Sequence, residues 1–264
     1  MTAFYFGAGA AVFYLLGLVF QGLDLRGKEQ MHKPRVWAFC IGAIVLHSLW
    51  LYQRIFVSEG VDLGLYNIFS LISWQVVILV LLGSMYAQLE NLLVLAVPVT
   101  LVSIVLTMLP NDSYQPRQLV DTGIAIHILI SILAYSVLSL AAVQALLLAF
   151  QNRQIKQHHT KDIIVTLPPI EKMESLLFLM VWIGLGLLSV AILSGYLYLE
   201  DMFAQHVVHK TVLTLISWLV FAILLWGRHQ LGWRGAVAIR WTWVGFFILM
   251  LAFLGSKLVA EIVL

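Results

Sequence analysis

The chain has 264 residues, 62% of them hydrophobic and 11% charged, with a net charge of +2 and a mean hydropathy of +0.97. A soluble domain is about half apolar and about a quarter charged. These values therefore exclude a water-soluble enzyme, a disordered chain and a nucleic-acid-binding domain. They fit an all-α, polytopic integral membrane protein, read here as a single transmembrane domain over 1–264.

A spanning helix needs about 20 apolar residues. Eight such runs occur, at about 3–20, 36–53, 65–86, 91–109, 123–150, 175–199, 208–227 and 237–260. No Lys or Arg precedes the apolar part of the first run and a basic cluster follows it. That order predicts a retained span rather than a cleaved signal. The second run carries His47 and the lone cysteine, Cys40. No internal disulfide or CxxC chemistry is open to the chain, and Cys40 reads as a small buried hydrophobe. The third run contains Ser-Leu-Ile-Ser-Trp at 70–74. Pro98 interrupts the fourth, and only a short link around Glu90 joins it to the third. The fifth opens near His127 and exceeds one bilayer crossing, so it tilts or projects. A polar loop, 151–174, ends in Pro168-Pro169 ahead of the sixth. The seventh carries Thr-Leu-Ile-Ser-Trp at 214–218. Two similar pentapeptides in helices four apart would follow from a parallel duplication of four helices. Coincidence in a Leu/Ile-rich chain is the alternative.

The 15 basic residues orient the spans. Arg26, Lys28, Lys33 and Arg35 follow the first helix. Arg153, Lys156, Lys161 and Lys172 follow the fifth, and Arg228, Arg234 and Arg240 follow the seventh. With eight spans, all of these share one side. Only Arg54, Arg117, Lys210 and Lys257 fall on the other. The positive-inside rule then predicts a bacterial inner-membrane protein with both termini on the periplasmic side.

Histidine is costly inside a span unless it has a partner. His32, His158, His159 and His229 read as solvated loop residues. His47, His127, His206 and His209 all fall in the outer half. His127 lies about one turn inside the fifth helix, and His209 opens the seventh at a similar depth. His206 comes three residues before His209. A neutral imidazole is a good iron ligand, and two facing at one depth could clamp a haem iron axially. The alternative for each is a helix cap or a hydrogen bond to a neighbour. Arg54, Arg117 and Lys210 are candidate partners for haem propionates, being the few cations on that side. No nucleophile elbow, GxGxxG or P-loop is present. The 13 acidic residues sit in loops or at helix ends, which counts against an ion-coupled carrier.

The segment from His209 to Lys257 resembles the last two helices of the cytochrome c assembly family of membrane proteins. Ile-Ser-Trp, an aliphatic helix, Gly-Trp-Arg-Gly at 232–235 and Phe-Leu-Gly-Ser-Lys follow in the family's order. His127, with Tyr135 eight residues on, is similar to the family's histidine-led helix. Ile-Leu-Ser-Gly at 192–195 resembles the helix ahead of the haem loop, and residues 63–74 resemble the segment after an outer loop. The likeness covers about 40–264 and is nearest to a short, eight-helix inner-membrane subgroup. It implies a haem-handling protein related to cytochrome c biogenesis, with His127 at the family's first outer haem ligand. The chain departs from the haem exporters at their intramembrane histidine in the seventh helix, where it has Trp226, and in a loop. Their tryptophan-rich loop is replaced by Gln-His-Val-Val-His-Lys-Thr at 205–211, where only the lysine, Lys210, is kept.

The expectation is a non-catalytic protein that binds haem through His127 and His209 near its outer face. The lipid bilayer is a partner, a second membrane protein is a possible one, and nucleic acid is not. The alternative is an accessory or regulatory subunit of another membrane complex that has lost haem binding. A small-solute transporter is the third reading. The Gly-Trp-Arg-Gly segment is expected to be a cytoplasmic turn, either structural or docking a partner.

Overall fold

The computed structural model describes residues 2–26, 33–109, 116, 122–157, 167–198 and 208–255. Eight helices in it are long and apolar enough to cross a membrane. They are α1 (Thr2–Arg26), α2 (Lys33–Ile55), α3 (Leu65–Ser84), α4 (Leu93–Met108), α5 (Thr122–Lys156), α6 (Ile170–Tyr198), α7 (Val208–Gln230) and α8 (Ala236–Met250), with α4 and α8 reaching that length through the turns that adjoin them. A 3₁₀ turn, Glu90–Leu92, leads into α4, and a π-helical turn, Leu251–Gly255, closes α8. A two-residue hairpin pairs β1 (Phe56–Val57) with β2 (Gly60–Val61) between α2 and α3. Helices are the expected outcome, because lipid cannot satisfy a free backbone donor and a helix satisfies its own. Pro98 is accommodated inside α4. The 35 residues of α5 make a rod of about 52 Å, well beyond the hydrocarbon thickness of about 30 Å.

The chain divides into two compact units. Unit 1 comprises 1–118 with 154–168, and unit 2 comprises 119–153 with 169–264. Unit 1 holds α1 to α4. The buried face of α1 is Ala10, Tyr14, Gly17, Gln21 and Asp24, spaced alternately four and three residues apart. That spacing keeps one stripe turned to the interior. Polar residues on the stripe meet polar partners. Tyr14 Oη lies 3.4 Å from His47 Nδ1, and Gln21 Nε2 donates to Asn91 Oδ1 at 3.3 Å. On α3, Ser73 Oγ lies 2.7 Å from Ser103 Oγ of α4, while the Trp74 indole donates to the Ile44 carbonyl of α2.

Unit 2 holds α6 to α8 and all but the last turn of α5. Gln144 of α5 donates to the Met173 carbonyl of α6. Trp218 of α7 donates to Ser189 Oγ of α6 at 2.8 Å, and Ser217 donates to the Gly245 carbonyl of α8 at 2.8 Å. Tyr135 packs between Phe246 and Phe253, with ring centroids 6.0 and 5.6 Å away.

The Gly-Trp-Arg-Gly segment is a built turn between α7 and α8. Gly232 and Gly235 have φ of 66° and 52°, conformations that side-chain-bearing residues resist. Glu174 Oε1, buried on α6, accepts the Gly235 N–H at 2.7 Å. Arg228 Nη1 donates to the Trp233 carbonyl at 3.2 Å and its guanidinium lies 4.6 Å from the Phe178 ring.

Candidate functional site

His127 sits in the second turn of α5 and is half-buried. Its Nδ1 lies 3.0 Å from the hydroxyl of Ser194, a buried residue near the far end of α6. The Ser194 hydroxyl also donates to the Ala191 carbonyl of its own helix at 2.9 Å. A hydroxyl has one proton to give. With that proton directed to Ala191, Ser194 faces the imidazole as an acceptor, an arrangement that favours the proton on Nδ1. In the neutral form of the ring the lone pair is then on Nε2. A second partner that fixes the tautomer in this way is a regular feature of metal-ligating histidines.

The other predicted residues of unit 2 can be placed from helix register. The Trp218–Ser189 bond aligns α7 antiparallel to α6. Counting from it, Ser194 stands opposite Leu213. His209 is therefore about one turn, roughly 6 Å, further toward the start of α7. At that same level Gly123 packs closely under the Tyr198 ring. His127 and His209 thus share one end of the unit at a stagger of about a turn, without a hydrogen bond or ring contact between them. His209 is exposed and Lys210 half-buried. His206 and Arg117 lie outside the described residues.

His47 and Arg54 belong to unit 1. His47 has no solvent exposure. Tyr14 Oη faces its Nδ1, and Ser70 Oγ faces its Nε2 at 2.9 Å. Both ring nitrogens are engaged inside the bundle, so an iron could reach this histidine only by displacing a partner. Arg54 holds its guanidinium 5.7 Å from the Trp50 ring. Its Nε is buried without a hydrogen-bond partner among the described residues.

Two features escaped the sequence reading. The first is Ser194, which was legible only as part of Ile-Leu-Ser-Gly. The second is a buried polar cluster in unit 1, where Gln21, Asp24, Lys33, Glu90 and Asn91 line a cavity of about 10 Å³ and Lys33 pairs with Glu90. The acidic residues Asp24, Glu90 and Glu174 do sit at helix ends, as expected, but they are buried there. The four-three spacing from Tyr14 through Gln21 to Asp24 could have revealed the first of them.

Fold and site together define a multi-helix membrane protein with a serine-paired histidine near one end of its second four-helix unit. The chain belongs to the cytochrome c assembly protein family, whose model matches residues 37–264. It is 30% identical over 226 residues to the Inner membrane protein YpjD of Escherichia coli K12, covering 84% of each chain. It is 23% identical to the Cytochrome c biogenesis protein CcsA of Guillardia theta, covering 94% of this chain and 88% of the relative. An uncharacterized 28.8 kDa protein of Azospirillum brasilense is 29% identical over 143 residues, 53% of each chain. No solved structure matches. The protein is a multi-pass protein of the inner membrane.

Proposed function

We propose that the protein binds haem at the histidine end of unit 2 and handles it, without catalysing a covalent step, in cytochrome c biogenesis. The observation that carries this reading is the Ser194 hydroxyl 3.0 Å from His127 Nδ1, an arrangement that suits Nδ1 as the donor and Nε2 as a ligand nitrogen. The donor set fits the group, since a neutral imidazole is an axial ligand for haem iron. Bound haem would supply an iron centre that accepts nitrogen ligands. His209 is the candidate second ligand, with His206 close to it in sequence. Lys210 is the candidate propionate partner within unit 2. His47 serves unit 1 as a packing residue. The cations Arg153, Lys156, Arg228, Arg234 and Arg240 follow the opposite helix ends, which supports a periplasmic histidine end and periplasmic termini. The CcsA relatives support a place in cytochrome c biogenesis.

The test is an absorption titration of the purified protein with haemin. A Soret band should grow to saturation at one equivalent. His127→Ala and the His127→Ala/His209→Ala double variant should lose it. Ser194→Ala should bind about tenfold more weakly, the usual cost of losing a ligand's orienting partner. A band unchanged in the double variant would refute the reading.

A further inference from the structure

A second feature of unit 2 lies away from the histidine end. Trp182, Leu185, Ala222, Leu225, Trp226 and His229 line an open groove of about 430 Å³ along the seam of α6 and α7. The register set by Trp218 and Ser189 puts Trp182 opposite Leu225 and Leu185 opposite Ala222. Buried Leu185 and Leu225 form the floor, and the small Ala222 leaves it deep. Trp182 and Trp226 are 61% and 57% exposed. Trp182 lies three turns inside α6, away from the helix ends where the interfacial belt holds most exposed indoles. His229 marks the mouth, and seven residues separate it from Ala222, a run of about 10 Å.

The mouth is cationic. Arg228 adjoins His229 and rests on Phe178, which stands opposite His229 in the same register. A guanidinium has five N–H donors, and the hydrogen bond to the Trp233 carbonyl uses one of them. Arg234, Arg240 and Lys172 are exposed at the same end. Of the carboxylates at this end, Glu174 already accepts the Gly235 N–H and lies 3.9 Å from Arg234 Nε, and Glu171 is exposed beside Lys172, so the cations outnumber them. A ligand fitting both parts has a long apolar tail for the groove and a negative head for its mouth. Basic pockets between membrane helices select such lipids.

We propose that this groove binds one anionic phospholipid, with an acyl chain between Trp182 and Trp226 and the phosphate at Arg228 and His229. The test is native mass spectrometry of the full-length protein released from nanodiscs of equal phosphatidylglycerol and phosphatidylethanolamine. The wild-type protein should retain about one phosphatidylglycerol per chain. Trp182→Ala/Trp226→Ala alters exposed side chains, so the fold should survive, and retention should fall at least tenfold. Arg228→Gln keeps a donor for the Trp233 carbonyl and should lower the preference for phosphatidylglycerol about fivefold. Retention mirroring the bulk lipid ratio, a double variant that still holds the lipid, or a wild-type preference in Arg228→Gln would each overturn the proposal. Extraction of an isoprenoid quinone or haem from the groove instead would do so too.

Discussion

The two four-helix units use the same device at their third helices. In unit 1, Ser73 bonds forward to the fourth helix through Ser103, and Trp74 bonds back to the second through the Ile44 carbonyl. In unit 2, Ser217 bonds forward to the Gly245 carbonyl and Trp218 back to Ser189. These are the serine and tryptophan of the two similar pentapeptides. Shared contacts between corresponding helices favour duplication over coincidence. The histidines diverge on this common frame. Unit 1 closes His47 between Tyr14 and Ser70, whereas unit 2 engages only Nδ1 of His127 with a side chain and leaves the ring half-exposed. One scaffold therefore carries two polar interiors, one sealed around its histidine and one that leaves its histidine half-exposed.

The sharpest way to break that contrast is to exchange the consequences of losing each ring. His47→Ala should destabilise unit 1 by about 2–4 kcal/mol, because it opens a cavity and strands the Tyr14 and Ser70 hydroxyls. Haemin binding should be unaffected. His127→Ala should abolish haemin binding while costing about 1 kcal/mol or less, since Ser194 keeps its bond to Ala191 and the site can rehydrate. Denaturation in mixed micelles and the Soret titration read the two quantities separately. If His47→Ala removed haem binding from a protein of wild-type stability, the division of labour between the units would be wrong.

The spans were legible because their signal is long and redundant. Some 20 consecutive apolar residues register whatever their partners are. The histidine end of unit 2 was legible for a related reason, since alternating spans put the starts of α5 and α7 on one side. Ser194 was not legible, because a serine near a helix end looks the same whether it bonds its own helix or orients an imidazole. The partners of His47 were hidden in the same manner. Depth along a helix is readable from spacing, but the facing partner depends on which helix packs against it, and Tyr14 is 33 residues away. Burial of Asp24 and Glu90 was missed because a charge at a helix end usually reaches water. Here Glu90 takes its cation, Lys33, from another segment, and Asp24 lines one cavity with both.

A smaller effect tests the turn that closes unit 2. A methyl group at Gly227 would overlap the Trp233 ring, which is held by its backbone bond to the Gly227 carbonyl. Gly227→Ala should therefore cost about 1–3 kcal/mol by overpacking. Gly186, with open space around it, supplies the control. Gly186→Ala should be neutral or stabilising by up to about 1 kcal/mol, because alanine favours the helix. Equal unfolding midpoints for the two variants would show that the Trp233 ring is free to move and that the turn is looser than its hydrogen bonds imply.

The smallest effect bears most directly on the shared frame. Side-chain hydrogen bonds between membrane helices contribute about 0.6 kcal/mol on average. Ser73→Ala and Ser217→Ala should each cost about that much. Neither change strands a partner. Ser103 still donates to the Thr100 carbonyl at 2.7 Å, and the Gly245 carbonyl lies inside α8, where the helix ladder also uses it. The two costs should agree within about 0.5 kcal/mol, and the double variant should show their sum, as expected for separated sites. A loss of more than about 2 kcal/mol from one variant alone would mean that its serine supports something the other does not. In unit 1 that would be the chain from Ser73 through Ser103 and Ser70 to His47, and the sealed imidazole, rather than the helix pair, would be what the serine stabilises.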